Sequence, residues 1–308
     1  MPSTPCSAPG RSPISASGSF GGCGTPWRGF VPTRTDHTVE AVRGDVDGAR
    51  LVADLRALGL AAGRDVLVHS SLRQLGRPAG GPATLAAALR EVLGPTGTVL
   101  VPTENAGNST SSRTYLAATR GMDARQLAAF HTAMPGWDRA GTPSEGTGAF
   151  AEHVRLAPGA VRSDHPQTSF AALGPRAVEL TDGHELDCHL GDRSPLGRLY
   201  AAGGWILLLG VGYRACTALH LAEYRLPVSP PRRPYRCYRQ ISGQRVRLDF
   251  EALDLDDSDF PVAGQALDQE PFVRRGRVGR AEARLLPVRD TVDFAVDWFS
   301  VHRSHRGR

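Results

Sequence analysis

The chain has no lysine: all 36 of its basic residues are arginine. That absence removes two large classes of chemistry. Pyridoxal-phosphate enzymes need a Schiff-base lysine, and a Walker-type P-loop needs the lysine that reaches the nucleotide phosphates. Cysteine is sparse. Cys6, Cys23, Cys188, Cys216 and Cys237 form no CxxC pair, so zinc-ribbon and thioredoxin-like readings fail, and their odd count fits a reducing compartment. No run approaches the ~18 apolar residues of a membrane span. No HExxH motif occurs, and the N-terminal region has no continuous apolar stretch of the secretory kind. The expected setting is cytoplasmic, with no membrane partner.

The net charge of +5 is confined to the ends. Arg11, Arg28 and Arg34 outweigh Asp36 near the start, and Arg303, Arg306 and Arg308 close the chain. The body between them is close to neutral, so no nucleic-acid partner is expected. Residues 1–36 are rich in Ser, Pro and Gly and hold too little apolar surface to offset ordering, which predicts a disordered tail. The expected organisation is that tail, one domain over 37–303 with a hairpin and acidic-loop subregion at 240–285, and a basic tail at 304–308.

Within the body, periodicity alternates between strand and helix. "DGARLVADLRALGL" carries Leu51, Leu55 and Leu58 at helical spacing, and "RDVLVHSS" reads as a short strand. "GPATLAAALREVLG" is a helix with Pro82 near its start and Gly94 after its end, and "GTVLVPT" is a second strand. This β-α-β order predicts a parallel pair with a right-handed crossover, hence an α/β fold. "GGWILLLGV" is a third strand suited to the middle of a sheet, and "YRCYRQISGQRVRLDF" reads as a β-hairpin around Ser242-Gly243. Residues 104–148 show no regular pattern, and a segment of that length in a compact domain is usually functional.

Several stretches carry side chains suited to chemistry. "VHSSL" ends a strand before a Gly-rich turn, where Ser70 and Ser71 offer hydroxyls to a phosphate or an extended cofactor arm; a plain Ser/Gly turn is the alternative. "SDHPQTSF" collects Asp164, His165 and two hydroxyls, which also suits local side-chain-to-backbone bonding. In "HELDCHLGDRSPLGRL", Ser194 is a helix N-cap with Pro195 at N1, and His189 lies in the loop before it. In "CTALHLAEYR", Thr217, His220 and Glu223 fall on one helical face directly after the apolar strand, at the sheet edge where α/β proteins bind ligands. "DFEALDLDDSDF" has six carboxylates in twelve residues but lacks the glycine and ligand spacing of an EF-hand, so it reads as a solvated or cation-attracting rim.

In chain order, "VHSSLRQLGRPAGGPATLAAALREVLGPTGTVLVPT", "SDHPQTSFAALGPRA", "SPLGRLYAAGGWILLLGVGYRACTALHLAEYR" and "VGRAEARLLPVRDTVDFAVDWF" resemble the aminoglycoside N3-acetyltransferases, over about residues 38–303. The resemblance implies a three-layer α/β/α fold with a largely parallel central sheet plus a β-hairpin insertion, and not a GNAT fold. It implies acetyl transfer from acetyl-CoA, with no metal, to the 3-amino group of a 2-deoxystreptamine aminoglycoside, and so antibiotic resistance. By similarity, Ser70, Ser71, Leu72, Gly76, Gly80 and Gly81 would hold the coenzyme A arm. Also by similarity, His189 would be the general base, Glu223 would orient it, and Thr217 would lie near the thioester, with His220 as rival base or supporting residue.

A polycationic acceptor calls for carboxylates. Asp164, Glu145 and one or more of Asp254, Asp256, Asp257 and Asp259 are the candidates, Asp256 and Asp257 foremost among the last group. A base is needed because an ammonium must lose its proton before it attacks a thioester, and general-base help is worth about 10²–10⁴-fold. No acyl-enzyme is required, although Cys188 adjoins His189. The same chemistry on another amine, and a metal-dependent hydrolase built on His189, His220 and Glu223, remain as alternatives. A monomer or homodimer is expected.

Overall fold

The computed structural model describes residues 46–303, so the tails expected at 1–36 and 304–308 lie outside the described residues. Helix starts follow the expected local chemistry. Asp47 accepts from the Arg50 amide at 2.7 Å, Pro82 opens its helix, and the Ser194 hydroxyl accepts from the Leu196 amide with Pro195 at N1.

In chain order the elements are α1 (Gly48–Ala57), β1 (Asp65–Ser70), α2 (Leu72–Leu75), α3 (Pro82–Leu93), β2 (Thr98–Pro102), α4 (Arg113–Ala118) and α5 (Ala124–Ala133). There follow α6 (Gly148–Leu156), β3 (Val161–Arg162), β4 (Phe170–Leu173), α7 (Ala177–Thr181), α8 (Pro195–Ala201), β5 (Trp205–Leu209) and α9 (Ala218–Glu223). The last are β6 (Arg232–Ile241), β7 (Gln244–Leu253), α10 (Phe260–Leu267), β8 (Arg274–Val278), β9 (Ala281–Pro287) and α11 (Val288–His302).

The main sheet has the order β3-β4-β2-β1-β5-β9-β8. β1 runs parallel to both neighbours, with Leu67 opposite Leu100 and Ile206. The flanking pairs, β4 with β3 and β9 with β8, join antiparallel. The expected parallel centre is present, and antiparallel strands extend it on both sides.

The central strands are apolar throughout because both faces are covered. Val66, Val68, Val99, Val101, Leu207 and Leu209 bury against α1, α3 and α6. Leu67, Leu100, Ile206 and Leu208 point the other way, against α7, α8, α9 and α11. This alternation makes the three layers.

β6 and β7 form a separate two-stranded hairpin, turned by Ser242 at φ 50° and Gly243 at φ 78°. Two consecutive left-handed residues match the twist of the flanking strands. The hairpin begins at Arg232, and β8 and β9 rejoin the main sheet.

The segment 104–148 departs from the expectation of irregular chain, since it contains α4 and α5. Asp123 and Gln126 form a reciprocal capping box at the start of α5, and Leu127 and Phe130, three residues apart, pack a partly buried apolar edge against Tyr115, Met134 and Tyr238. The segment is tied down by polar contacts. The Asn108 side chain donates to the Tyr238 carbonyl at 2.5 Å and accepts from its amide at 2.8 Å. Buried Arg162 donates to the Thr103 carbonyl at 2.7 Å and the Thr142 carbonyl at 2.5 Å.

Asn108→Ala leaves the Tyr238 amide without its Asn108 partner, while the carbonyl keeps the Trp137 amide at 2.8 Å, at a cost of about 1–3 kcal/mol. The expected result is a lower urea midpoint with unchanged m-value, and faster hydrogen exchange at the Tyr238 amide. An unchanged midpoint would show that the hairpin does not depend on this clamp.

Candidate active site

The three parallel strands β1, β2 and β5 run out at one edge of the sheet, where ligands of open α/β sheets bind. Their C-terminal residues and the loops after them wall a cleft of about 510 Å³. The end of β1 supplies His69 and Ser70, followed by Ser71, Leu72 and Arg73. Glu104 follows β2, and Arg214, Thr217 and His220 follow β5. Asp257, from the acidic loop after β7, completes the rim.

Thr217, His220 and Glu223 do share one face of α9, at graded depth. Thr217 and His220 line the cleft, while the Glu223 side chain lies behind them, 1% exposed. His220 Nδ1 meets Glu223 Oε2 at 2.5 Å. A carboxylate at Nδ1 holds the proton there and leaves Nε2 as the ring's acceptor. The other oxygen, Oε1, accepts from the Asp256 amide at 3.0 Å and from Arg303 Nη1 at 2.5 Å.

The expected pairing of Glu223 with His189 is therefore not made. Both carboxylate oxygens are taken, and His189 lies elsewhere, buried against Tyr235 at 4.4 Å between ring centroids and against His165 at 4.8 Å. His189 Nε2 has no hydrogen-bond partner and the residue does not line the cleft. Burial also pushes the neighbouring Cys188 thiol up, away from the thiolate that an acyl-enzyme would need.

The remaining expected residues divide. Ser70, Ser71 and Leu72 line the cleft, whereas Gly76, Gly80 and Gly81 do not. Gly76 is the left-handed C-cap of α2, at φ 97°. Asp257 is at the rim, 2.8 Å from Arg113. Asp164 pairs with Arg239, and Glu145 accepts from the Gly107 amide at 2.6 Å; neither lines the cleft. The Asp256 carboxylate accepts from the Ser258 amide and hydroxyl at 2.9 Å, while Asp254 pairs with Arg233 and Asp259 with Arg303.

Four ionisable cleft residues were absent from the expected set: His69, Arg73, Glu104 and Arg214. His69 Nε2 lies 3.3 Å from the Thr217 hydroxyl, and burial pushes its pKa down to about 4, so the ring is neutral at pH 7. Desolvation raises the Glu104 carboxyl, opposed by the charge of His220. The sequence signal for His69 was a polar residue within an otherwise apolar strand, at its carboxyl end. Among the described residues no group of three or more His, Cys, Asp or Glu could hold a metal ion.

The profile of the family described as aminoglycoside 3-N-acetyltransferase matches residues 67–300. The chain belongs to this family. Aminoglycoside N(3)-acetyltransferase VII of Streptomyces paromomycinus is 38% identical over 272 residues, covering 83% of this chain and 92% of that protein. Among solved structures, YokD of Bacillus subtilis aligns with a TM-score of 0.78 at 33% identity, covering 83% of this chain and 94% of that one. The binary complex of AAC-IIIb with CoASH aligns with a TM-score of 0.73 at 28% identity, covering 82% and 96%.

In this member of the aminoglycoside 3-N-acetyltransferase family, His165, His184 and His189 form a buried cluster that does not line the cleft. Burial pushes His184 down to about 4 and His189 to about 3, and His165 well below the ordinary value. These folded-state values lie below the ~6.5 of an unfolded chain, so the unfolded state takes up protons that the native state does not. The stability they contribute is complete above about pH 6.5 and is lost as pH falls from there toward 4 and 3. His184 and His189 should each cost about 2 kcal/mol by pH 5, and His165 acts in the same direction. Urea unfolding at pH 7 and pH 5, with proton uptake measured directly, should show this fall; equal stability at the two pH values would refute it.

Proposed function

We propose that this enzyme transfers the acetyl group of acetyl-CoA to the 3-amino group of a 2-deoxystreptamine aminoglycoside, by direct attack with His220 as general base. The observation that carries the reading is the His220–Glu223 pair, 2.5 Å apart, at the carboxyl edge of the parallel strands. The cleft residues suit the donor. Arg73 and Arg214 are cations and Ser70 and Ser71 are hydroxyl donors, a set fitted to an anionic, extended ligand. Acetyl-CoA supplies an activated acetyl thioester there. The relative AAC-IIIb in complex with CoASH supports the same choice, and the name of the Streptomyces relative supports the acceptor.

The chain's own residues then act on the proton and the charges. The acceptor ammonium must lose a proton, and His220 Nε2 is placed to take it, because Nδ1 is held by Glu223. Glu223 stabilises the imidazolium that results. Thr217 Oγ1 lies on the same wall, oriented by neutral His69, and is the donor available to the oxygen on which charge develops. The C–N bond forms as the C–S bond breaks, and the imidazolium proton is available to the departing thiolate. Glu104 and Asp257 give the cleft two carboxylates for the other ammonium groups of a polycationic acceptor. Acetylation removes one positive charge from that acceptor, which is how the enzyme would confer resistance.

Thiol release from acetyl-CoA should occur with the free aminoglycoside and not with the same drug already acetylated at its 3-amine. His220→Ala should lower kcat by about 10²–10⁴-fold while coenzyme A binding, followed by calorimetry, persists. His189→Leu should act on stability and leave kcat near that of the parent. If His189→Leu abolishes turnover and His220→Ala does not, the base is His189.

A further inference from the structure

Glu223 is a buried carboxylate, and a buried carboxylate without a cation beside it binds a proton or turns away. The cation is supplied from the far end of the chain. Arg303, the residue after α11 and 80 positions from Glu223, donates from Nη1 to Glu223 Oε1 at 2.5 Å. Arg303 is itself fixed on every side. Its Nε and Nη2 form a fork on the Asp259 carboxylate at 2.8 and 2.6 Å, and Nη2 also donates to the Asp256 carbonyl at 2.8 Å. The guanidinium carbon lies 3.9 Å from the centre of the Phe299 ring. The Arg303 side chain is 15% exposed and Asp259 only 3%.

We propose that Arg303 is a positioning residue for the reaction, locking Glu223 as an anion aimed at His220; this rests on the reading of His220 and Glu223 as the proton-transfer pair. The array His220–Glu223–Arg303–Asp259 alternates in sign. With His220 neutral it carries one net negative charge, and with His220 protonated it carries none. The buried groups are therefore best balanced in the state that exists once the base has taken the proton. The titratable and charged groups near this array are Glu104, Asp257 and Arg214 from the cleft side, His189 and Tyr235 from the aromatic cluster, and the Asp256 backbone from the loop. Lysine in place of Arg303 keeps the charge but not the three-way fork.

Arg303 and Glu223 also line a second cleft, of about 800 Å³, with Leu226, Val228 and Phe299. This opening gives a small cation a route to the vacancy left by a shortened side chain. It makes the following experiment feasible. Arg303→Ala should lower kcat at least tenfold with little change in the KM for acetyl-CoA, Arg303→Lys should recover part of the loss, and millimolar guanidinium ion should restore Arg303→Ala. The pH profile of kcat/KM in Arg303→Ala should take on the form found in Glu223→Gln, and adding Arg303→Ala to Glu223→Gln should cost nothing further.

Equal losses of kcat from Arg303→Ala in the parent and in the Glu223→Gln background, without guanidinium rescue, would overturn the positioning role while leaving the pair intact. So would a kcat within twofold of the parent. If Glu223→Gln itself turns over at the parent rate, the pair reading fails, and that outcome is distinct from the first two.

Discussion

The parallel pairing of β1 with β2 and β5 is the constraint from which the rest of the site follows. Because the three strands point the same way, the chain leaves the sheet three times at one edge. Segments that are distant in sequence, starting after Ser70, Pro102 and Leu209, must then share one small volume. Had β1 and β5 paired antiparallel, Ser71 and Thr217 would lie at opposite edges of the sheet. The antiparallel flanks cover the sides of this core and return the chain as α11, whose end closes against the site from below.

The polar groups of the site are supported in proportion to their burial. His220 is partly exposed and has one partner at Nδ1, whereas Glu223, behind it, has three. Farther from the cleft, a cluster of three histidines is buried with no carboxylate bonded to any ring nitrogen that the described contacts include. Those rings are held by hydroxyls, carbonyls and aromatic faces, which favours the neutral form. Two histidine environments therefore lie near each other, one backed by a buried carboxylate and the other by hydroxyls, carbonyls and aromatic faces.

Most of the architecture was legible because it depends on short-range patterns. The apolar strands, the Pro82 and Ser194 helix starts and the Ser242-Gly243 turn are each decided within a few residues. The helix α5 was not legible, because its apolar edge is only Leu127 and Phe130, partly buried against Tyr115 and Met134, within an otherwise polar and small-residue run. Within the site, the spacing of Thr217, His220 and Glu223 was visible, but which histidine the carboxylate serves was not. His189 and His220 both lie near acidic residues in the sequence. The (i, i+3) spacing made His220 the local partner of Glu223, whereas the resemblance assigned that carboxylate to His189, and the fold keeps the local pair. The clamp by Arg303 crosses 80 residues and has no local signature at all.

The cations of the cleft wall, Arg73 and Arg214, are both guanidinium groups. A reactive thioester held beside an amine is under threat from any neutral amine nearby. The ε-amine of a lysine at either position would deprotonate often enough to compete with the acceptor for the acetyl group, and each success would cap the wall with an amide and erase its charge. A guanidinium stays protonated, so it anchors anions without being a nucleophile. Under the proposed function, a wall built this way would not be consumed by the thioester it faces.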